Sequence, residues 1–276
     1  MKKIIIPVDF SKHSEYALET GAALAKQHNA ELIVMHMLEL SESIFSASSS
    51  DRNEETAFML MVTNKEFETF LDKPYLEDIM VTPLIKHHKV LKEVAEVAGH
   101  EKADLIVMGS RGHSEHDGIF TGSNTEKVVR YSDTPVLVVK SKPESVNFNN
   151  VALGCDFSED SISAVKNALE LLNEIADKVT LLHVNLPNLS FLSTDEINER
   201  VSDFLKLSRL EEGDLNIAYT ADHTVEDGVL NYARREDADA VSIITHGRTG
   251  LSHFFGGSIS EDLVNHSKLP VVTFKL

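Results

Sequence analysis

The stretch "ADLIVMGSRG", Ala103 to Gly112, recurs as "ADAVSIITHG", Ala238 to Gly247. Each is followed by nine residues, then Gly-Ser, then a helical pattern, and closes on a Pro and an apolar run: "PVLVVK" from Pro135 and "PVVTFKL" from Pro270. An earlier landmark repeats too. "IIPVDFSKHS" from Ile5 and "VALGCDFSEDS" from Val151 share Asp-Phe-Ser after a short apolar run. Two landmarks in the same order at similar spacing mean two copies of one fold. The join falls in "SKPESVNFNN", residues 141–150, which is polar and carries a Pro. The expected domains are residues 1–143 and 149–276.

Each copy alternates strand and helix patterns. "KIIIPVD" is a continuous apolar run, as a strand buried on both faces requires. "SEYALETGAALAKQ" spaces Ala17, Leu18, Gly21, Ala22 and Ala25 along one helical stripe. "AELIVMHML" reads as the second strand. "SESIFSASSSDRNEE", Ser41 to Glu55, is Ser-rich and reads as a mobile loop, a candidate lid, before a helix through Phe58 to Leu71. A strand near Ile79 to Leu84, the helix "KVLKEVAEVAGH", the strand "DLIVMG", a glycine loop, a helix and a last strand complete the copy. Copy two repeats the order with "KVTLLHV", "TDEINERVSDFLKL", "LNIAYT", "VEDGVLNYARRE" and "AVSIIT". The pattern predicts α/β architecture with a parallel sheet covered on both faces. Ligands in such sheets sit beyond the carboxyl ends of the strands, where the winding reverses. Asp9, His36-Met37 and Gly109 all fall at strand ends.

The chain has 276 residues, 42% of them hydrophobic, enough for two domains. Its net charge of −18, 44 acids against 26 bases, repels nucleic acid and anionic membrane, so neither is an expected partner. The same charge handicaps a phosphate site. The single cysteine, Cys155, excludes an intrachain disulfide, and with no signal segment the chain reads as cytoplasmic.

The glycine loop of copy one is Gly109-x2-Gly112-x9-Gly122-Ser123, and Ser123-Asn124-Thr125-Glu126 has the capping-box pattern. A helix start presents unpaired N–H groups and partial positive charge, which suits phosphate, and glycines let the backbone come close. Spacing alone leaves a second reading open: a tight turn whose Ser caps a helix. The loop is neither a P-loop, having no Gly-Lys-Ser/Thr, nor the dinucleotide fingerprint, since Gly109 and Gly112 are three apart.

With "PVDFS", "ADLIVMGSRG", the G-x2-G-x9-G-Ser spacing and "SDTPVLVVK" in copy one, and "CDFSEDS", "THGRTGLSH" and "GGSISEDLVNHSKLPVV" in copy two, the chain resembles the universal stress protein family in its tandem form over nearly its whole length. The resemblance implies two flavodoxin-like domains of the adenine nucleotide alpha hydrolase-like type, each a five-stranded parallel sheet with helices on both faces. It implies pairing of the domains about a pseudo-twofold, a homodimer of tandem chains, and a stress-regulatory role rather than an enzymatic one. Some family members bind ATP and others do not. By the resemblance, Asp9 would accept from adenine, Pro7 and Val8 would line the pocket, and Met37 would offer backbone contacts to the base. Met108 and Gly109 would lie under the ribose, Arg111 and Gly112 would approach the phosphates, and Gly122, Ser123 and Asn124 would hold phosphate from the helix start. In copy two Asp156, Val184, His246, Gly247, Gly257 and Ser258 match. Ile244 stands in place of the first glycine there, and Gly154 in place of Pro7.

The copies depart from the pattern in opposite ways. Copy one keeps every glycine but carries Glu115 and Asp117 in its loop. A carboxylate at contact distance from polyphosphate costs about 1 kcal/mol or more, a sign that Mg²⁺ bridging both would reverse. Copy two has the friendlier loop, with Arg248 and His253, but a β-branched side chain at the first glycine position. The expectation is ATP in copy one. The alternative is a stress protein of the same fold with vacant or self-filled sites.

Other residues read more plainly. His87-His88 diverge as neighbours and, with His100, fit the surface, whereas His113 and His116 beside Glu115 and Asp117 could gather around zinc. No metal site is expected. His36 and His183 fit packed, hydrogen-bonded positions at matching strand ends, and Cys155 fits a packed thiol. Asp9 and Asp156 have no partner His, Cys or Lys at catalytic spacing, which favours base recognition or capping.

Overall fold

The computed structural model describes residues 1–38, 49–87, 92–110, 123–142, 148–245 and 259–276. Copy one comprises β1 (Lys3–Val8), α1 (Lys12–His28), β2 (Glu31–Leu38), α2 (Ser49–Leu71), β3 (Val81–His87), α3 (Lys92–Glu101), β4 (Leu105–Gly109), α4 (Ser123–Tyr131) and β5 (Val136–Val139). Copy two comprises β6 (Val151–Gly154), α5 (Ile162–Ile175), β7 (Val179–Asn185), α6 (Thr194–Ser208), β8 (Asn216–Ala221), α7 (Val225–Arg235), β9 (Ala240–Thr245), α8 (Ile259–His266) and β10 (Val271–Lys275).

The strands form one sheet in the order β3-β2-β1-β4-β5-β10-β9-β6-β7-β8. Every pairing within a copy is parallel. β5 and β10 pair antiparallel, with Leu137 opposite its own repeat counterpart Val272. The chain is therefore two tandem doubly wound α/β units, each a five-stranded parallel sheet of order 3-2-1-4-5. The winding reverses between β1 and β4 in copy one and between β6 and β9 in copy two.

Alternation along the strands builds two cores. Ile4 and Ile6 face the layer that holds α1 and the buried Phe67 and Phe70 of α2. Ile5 faces the opposite layer, with Val94 of α3 and Val128 of α4. The predicted stripe of α1 is buried as read, and Gly21 lets Ile6 pack close to the helix: a Cβ there would sit 2.5 Å from Ile6 Cδ1. Ser11 caps this helix and Asn29 ends it in the left-handed conformation at φ 53°.

Two elements differ from the sequence reading. The helix expected from Phe58 starts at Ser49, so the second half of the Ser-rich stretch is helical; Ser and Asp suit a first turn, and Arg52, Glu54 and Glu55 propagate it. Residues 41–48, the rest of the lid candidate, lie outside the described residues. The third strand begins at Val81 rather than Ile79, because Asp78 turns the chain at φ 65°. The acidic start of α6 is a capping box as its sequence suggests: Ser193 Oγ accepts from Glu196 N, and Glu196 accepts from Ser193 N. Ser193→Ala is expected to lower unfolding free energy by about 1 kcal/mol; a urea midpoint identical to the parent's would contradict this.

Candidate functional site

The site candidates assemble at the carboxyl ends of β1, β2 and β4. Val8 lies in register with His36 on β2, and His36 Nδ1 is 2.9 Å from the Val8 carbonyl oxygen. Beyond β1 the chain turns sharply. Asp9 Oδ1 accepts from Ser11 N at 3.1 Å, and Phe10 adopts φ 62°. Copy two makes the same turn: Asp156 Oδ1 accepts from Ser158 N at 3.0 Å, with Phe157 at φ 52°. A bulky residue in the left-handed region costs about 1 kcal/mol or more, so packing has to hold it. Phe10 stacks on His36 with ring centres 4.6 Å apart and meets Phe67 and Phe70 edge-on. Phe157 meets Phe204 edge-on at 5.3 Å and lies tilted against His183, with ring centres 6.2 Å apart. Sequence reading assigned neither phenylalanine a role; the shared Asp-Phe-Ser was the available signal.

Gly109 ends β4, and its close neighbour is protein. A Cβ there would lie 2.6 Å from the backbone oxygen of His13, in the first turn of α1. The buried Thr125 Oγ1 donates to the Gly109 carbonyl at 3.0 Å and so ties the start of α4 to the end of β4. Ser123 is the first residue of α4, and Asn124 is exposed beside it. Arg111, Gly112 and Gly122 lie outside the described residues, as do His246, Gly247, Gly257 and Ser258 of copy two. His88, His113 and His116 lie outside them as well. Among the described residues no group of three or more His, Cys, Asp or Glu is placed to hold a metal ion.

Equivalent positions in the two copies differ in access. Pro7, Asp9, Phe10, His36 and Met37 are all half-buried. Their counterparts are closed: Asp156 is 8% exposed, Phe157 2%, His183 3% and Val184 5%. Val184 is pressed against α7, where a Cβ on Gly228 would meet its Cγ1 at 2.4 Å. Ile244 is 5% exposed and belongs to the core. A groove of about 1250 Å³ is lined by Phe10 and, along α2, by Leu60, Met61, Lys65 and Phe70.

Two buried groups in copy two are chemically quiet. Burial pushes the Cys155 thiol up to about 12, and Phe157 N donates to its sulfur. A thiol held protonated is a poor nucleophile. Cys155 is expected to resist Ellman's reagent in the folded protein and to react only on unfolding; rapid native-state modification would contradict this. Burial also lowers the pKa of His183, opposed in part by the Cys155 backbone and the charge of Asp156. The unfolded chain then binds a proton near pH 6.5 that the folded chain resists, so His183 has no effect on stability well above that pH and subtracts from it as pH falls below. His183→Asn is expected to flatten the loss of unfolding free energy between about pH 6.5 and 5; an unchanged slope would count against this account.

Comparison with known proteins agrees with this architecture. The model of the universal stress protein family matches residues 1–140 and again 147–275. A universal stress protein of Methanocaldococcus jannaschii is 32% identical over 162 residues, covering 51% of this chain and 96% of its own. One from Mycolicibacterium smegmatis is 23% identical over 99% of this chain and 96% of its own. The crystal structure of a universal stress protein from Archaeoglobus fulgidus superposes with a TM-score of 0.63 over 99% of this chain and 98% of that one, at 19% identity. With both halves matched in succession, the chain belongs to the universal stress protein family, in its tandem two-domain form.

Proposed function

We propose that this chain is a regulatory adenine-nucleotide-binding protein of the cytoplasm that holds one ATP per chain, in copy one, without efficient turnover. The observation that carries the reading is the difference in access between the copies. The turn after β1 and the end of β2 are half-open in copy one, and the matching residues of copy two are packed shut. Asp9 keeps the turn with Oδ1, and its carboxylate accepts from the adenine amine in this reading. Pro7 and Val8 line the base side, Met37 offers its backbone, and Met108 and Gly109 lie toward the ribose. Arg111, Gly112, Gly122, Ser123 and Asn124 approach the phosphates at the start of α4. Mg²⁺ joins the bound nucleotide to relieve repulsion from Glu115 and Asp117.

The domains of this account are residues 1–143 and 149–276, acting as a pair across β5 and β10. A homodimer of tandem chains would form through other surfaces, since those two strands pair with each other.

A second reading, a stress protein acting through its surfaces alone, draws on Gly109, whose lack of a side chain already serves packing against His13. Titration of ATP into the protein by calorimetry, with and without Mg²⁺, separates the two. The nucleotide reading expects saturable binding at one site per chain. No heat beyond dilution would favour the second reading, and two equal sites per chain would contradict the closure of copy two.

A further inference from the structure

β3 and β8 are the two outer strands of the ten-stranded sheet and hold the same place in the two copies. An outer strand leaves a row of N–H and C=O groups unpaired, and proteins blunt such rows with proline and lysine. Copy one does so. Leu32 N donates to Met80 O at 2.9 Å, so by alternation the peptide groups of Pro83 and Ile85 turn away from β2. Pro83 has no N–H to offer there, and Lys86 stands exposed close by. Copy two does not. His36 is in register with Ile85 and His183 with Tyr219, so Pro83 and Lys86 correspond to Ile217 and Thr220. Asp222 N donates to Asn185 O at 3.3 Å, which by the same alternation turns the peptide groups of Ile217, Tyr219 and Ala221 outward. β8 runs its six residues without a proline or a charge.

Beside this open edge lies a cavity of about 430 Å³ between α6 and Tyr219, with Val201, Ser202 and Leu205 of the helix, and Leu210 and Glu212 beyond it, around the opening. Tyr219 is 46% exposed. Carboxylates flank the strand: Glu211, Glu212 and Asp214 are exposed before it, Asp222 follows it, and Asp227 is exposed in the first turn of α7. Against them stand Arg209, at the end of α6, and two cations already engaged: Lys206 Nζ with Asp203 Oδ1 at 3.1 Å, and Arg235 with Thr220 Oγ1 at 3.3 Å. A second copy pairing antiparallel here would set the same carboxylates against one another, in a chain whose net charge is −18. We propose that β8 is a docking edge for an extended, basic peptide segment of a partner protein, which adds a strand to the sheet and places one apolar side chain in the cavity beside Tyr219. Backbone hydrogen bonds supply the affinity; the cavity and the carboxylates supply the choice of sequence. This inference is independent of the nucleotide reading.

The test selects phage-displayed random peptides of about ten residues on the full chain. The enriched peptides, made synthetically, are then measured against the parent, Ile217→Pro and Thr220→Lys, which give β8 the residues of copy one. Circular dichroism and thermal midpoints are recorded for each protein. Enriched peptides are expected to be rich in Lys or Arg around an apolar residue, and added salt is expected to weaken them. Ile217→Pro removes an outward N–H while the ladder to β7 stays, and is expected to weaken binding about tenfold. Thr220→Lys keeps every backbone group and adds a like charge, and is expected to weaken binding about fivefold. Peptides that bind both variants like the parent overturn the inference, as does a selection that enriches no peptide or enriches acidic ones. A purely structural effect would lower the midpoint of Ile217→Pro and leave Thr220→Lys binding like the parent, which also overturns it. A parent that sediments as a dimer, split by Thr220→Lys, gives the edge to a second copy and overturns it too.

Discussion

Gly109→Ala is expected to lower the unfolding free energy by about 1–3 kcal/mol and to weaken ATP binding together with it. The new Cβ would sit 2.6 Å from the His13 oxygen and 2.7 Å from its carbonyl carbon. Both are backbone atoms, so no rotamer change relieves the overlap. Relief means moving the first turn of α1 off β4. That turn is anchored by Ser11, whose side chain caps the helix and whose N–H is bound to Asp9. Displacing it would shift the carboxylate assigned to adenine. Urea unfolding at constant slope reads the stability effect, and a variant as stable as its parent would contradict the packing account of this glycine.

The same position in copy two is expected to lose stability for the opposite steric reason. Ile244→Ala should cost about 2–5 kcal/mol, because a buried β-branched side chain is replaced by a cavity. Ile244 packs in the core layer that also holds Phe274 and Phe157. The copies differ in a matching way at the helix that faces it. α1 begins at Lys12, directly after Ser11, whereas α5 begins at Ile162, three residues beyond the counterpart Glu159. The intervening residues form turns closed by Ser161 N to Ser158 O and Ile162 N to Glu159 O, both at 3.2 Å. A glycine hydrogen goes with a helix start pressed on the strand end, and an isoleucine goes with a helix that starts a turn later. Ile244→Ala is therefore expected to destabilise copy two without giving it a nucleotide site, since Asp156, Phe157 and His183 stay buried. A stable variant, or one that binds a second ATP per chain, would contradict this.

The repeat was legible because Asp-Phe-Ser and Ala-Asp recur at fixed spacing, and β9, read as Ala240 to Thr245, has those bounds in the structure. Continuous runs such as Ile4–Ile6 announced a doubly covered sheet, since both neighbouring layers require apolar contact. The start of α2 was hidden by composition: serine suits loops and helix starts alike. The left-handed turns at Phe10 and Phe157 were not legible, because nothing in phenylalanine signals a positive φ. Nor was the hydrogen bond from Asn265 of α8 to Glu126 of α4 legible. That contact depends on the antiparallel meeting of β5 and β10, and strand patterns do not encode which edges join. The closure of copy two was half-legible. Ile244 pointed to it, but the burial of Val184 follows from how α7 packs, with Gly228 against it.

The most direct test titrates ATP into the Asp9→Asn and Asp156→Asn variants beside the parent. Asparagine keeps an Oδ1 to accept from Ser11 N or Ser158 N, so both turns survive, but it replaces the second carboxylate oxygen by a donor. The account predicts one site per chain in the parent, at least tenfold weaker binding in Asp9→Asn, as expected when a buried acceptor becomes a donor, and parent-like binding in Asp156→Asn. Loss of binding in Asp156→Asn with retention in Asp9→Asn would move the nucleotide to the second copy and contradict the account.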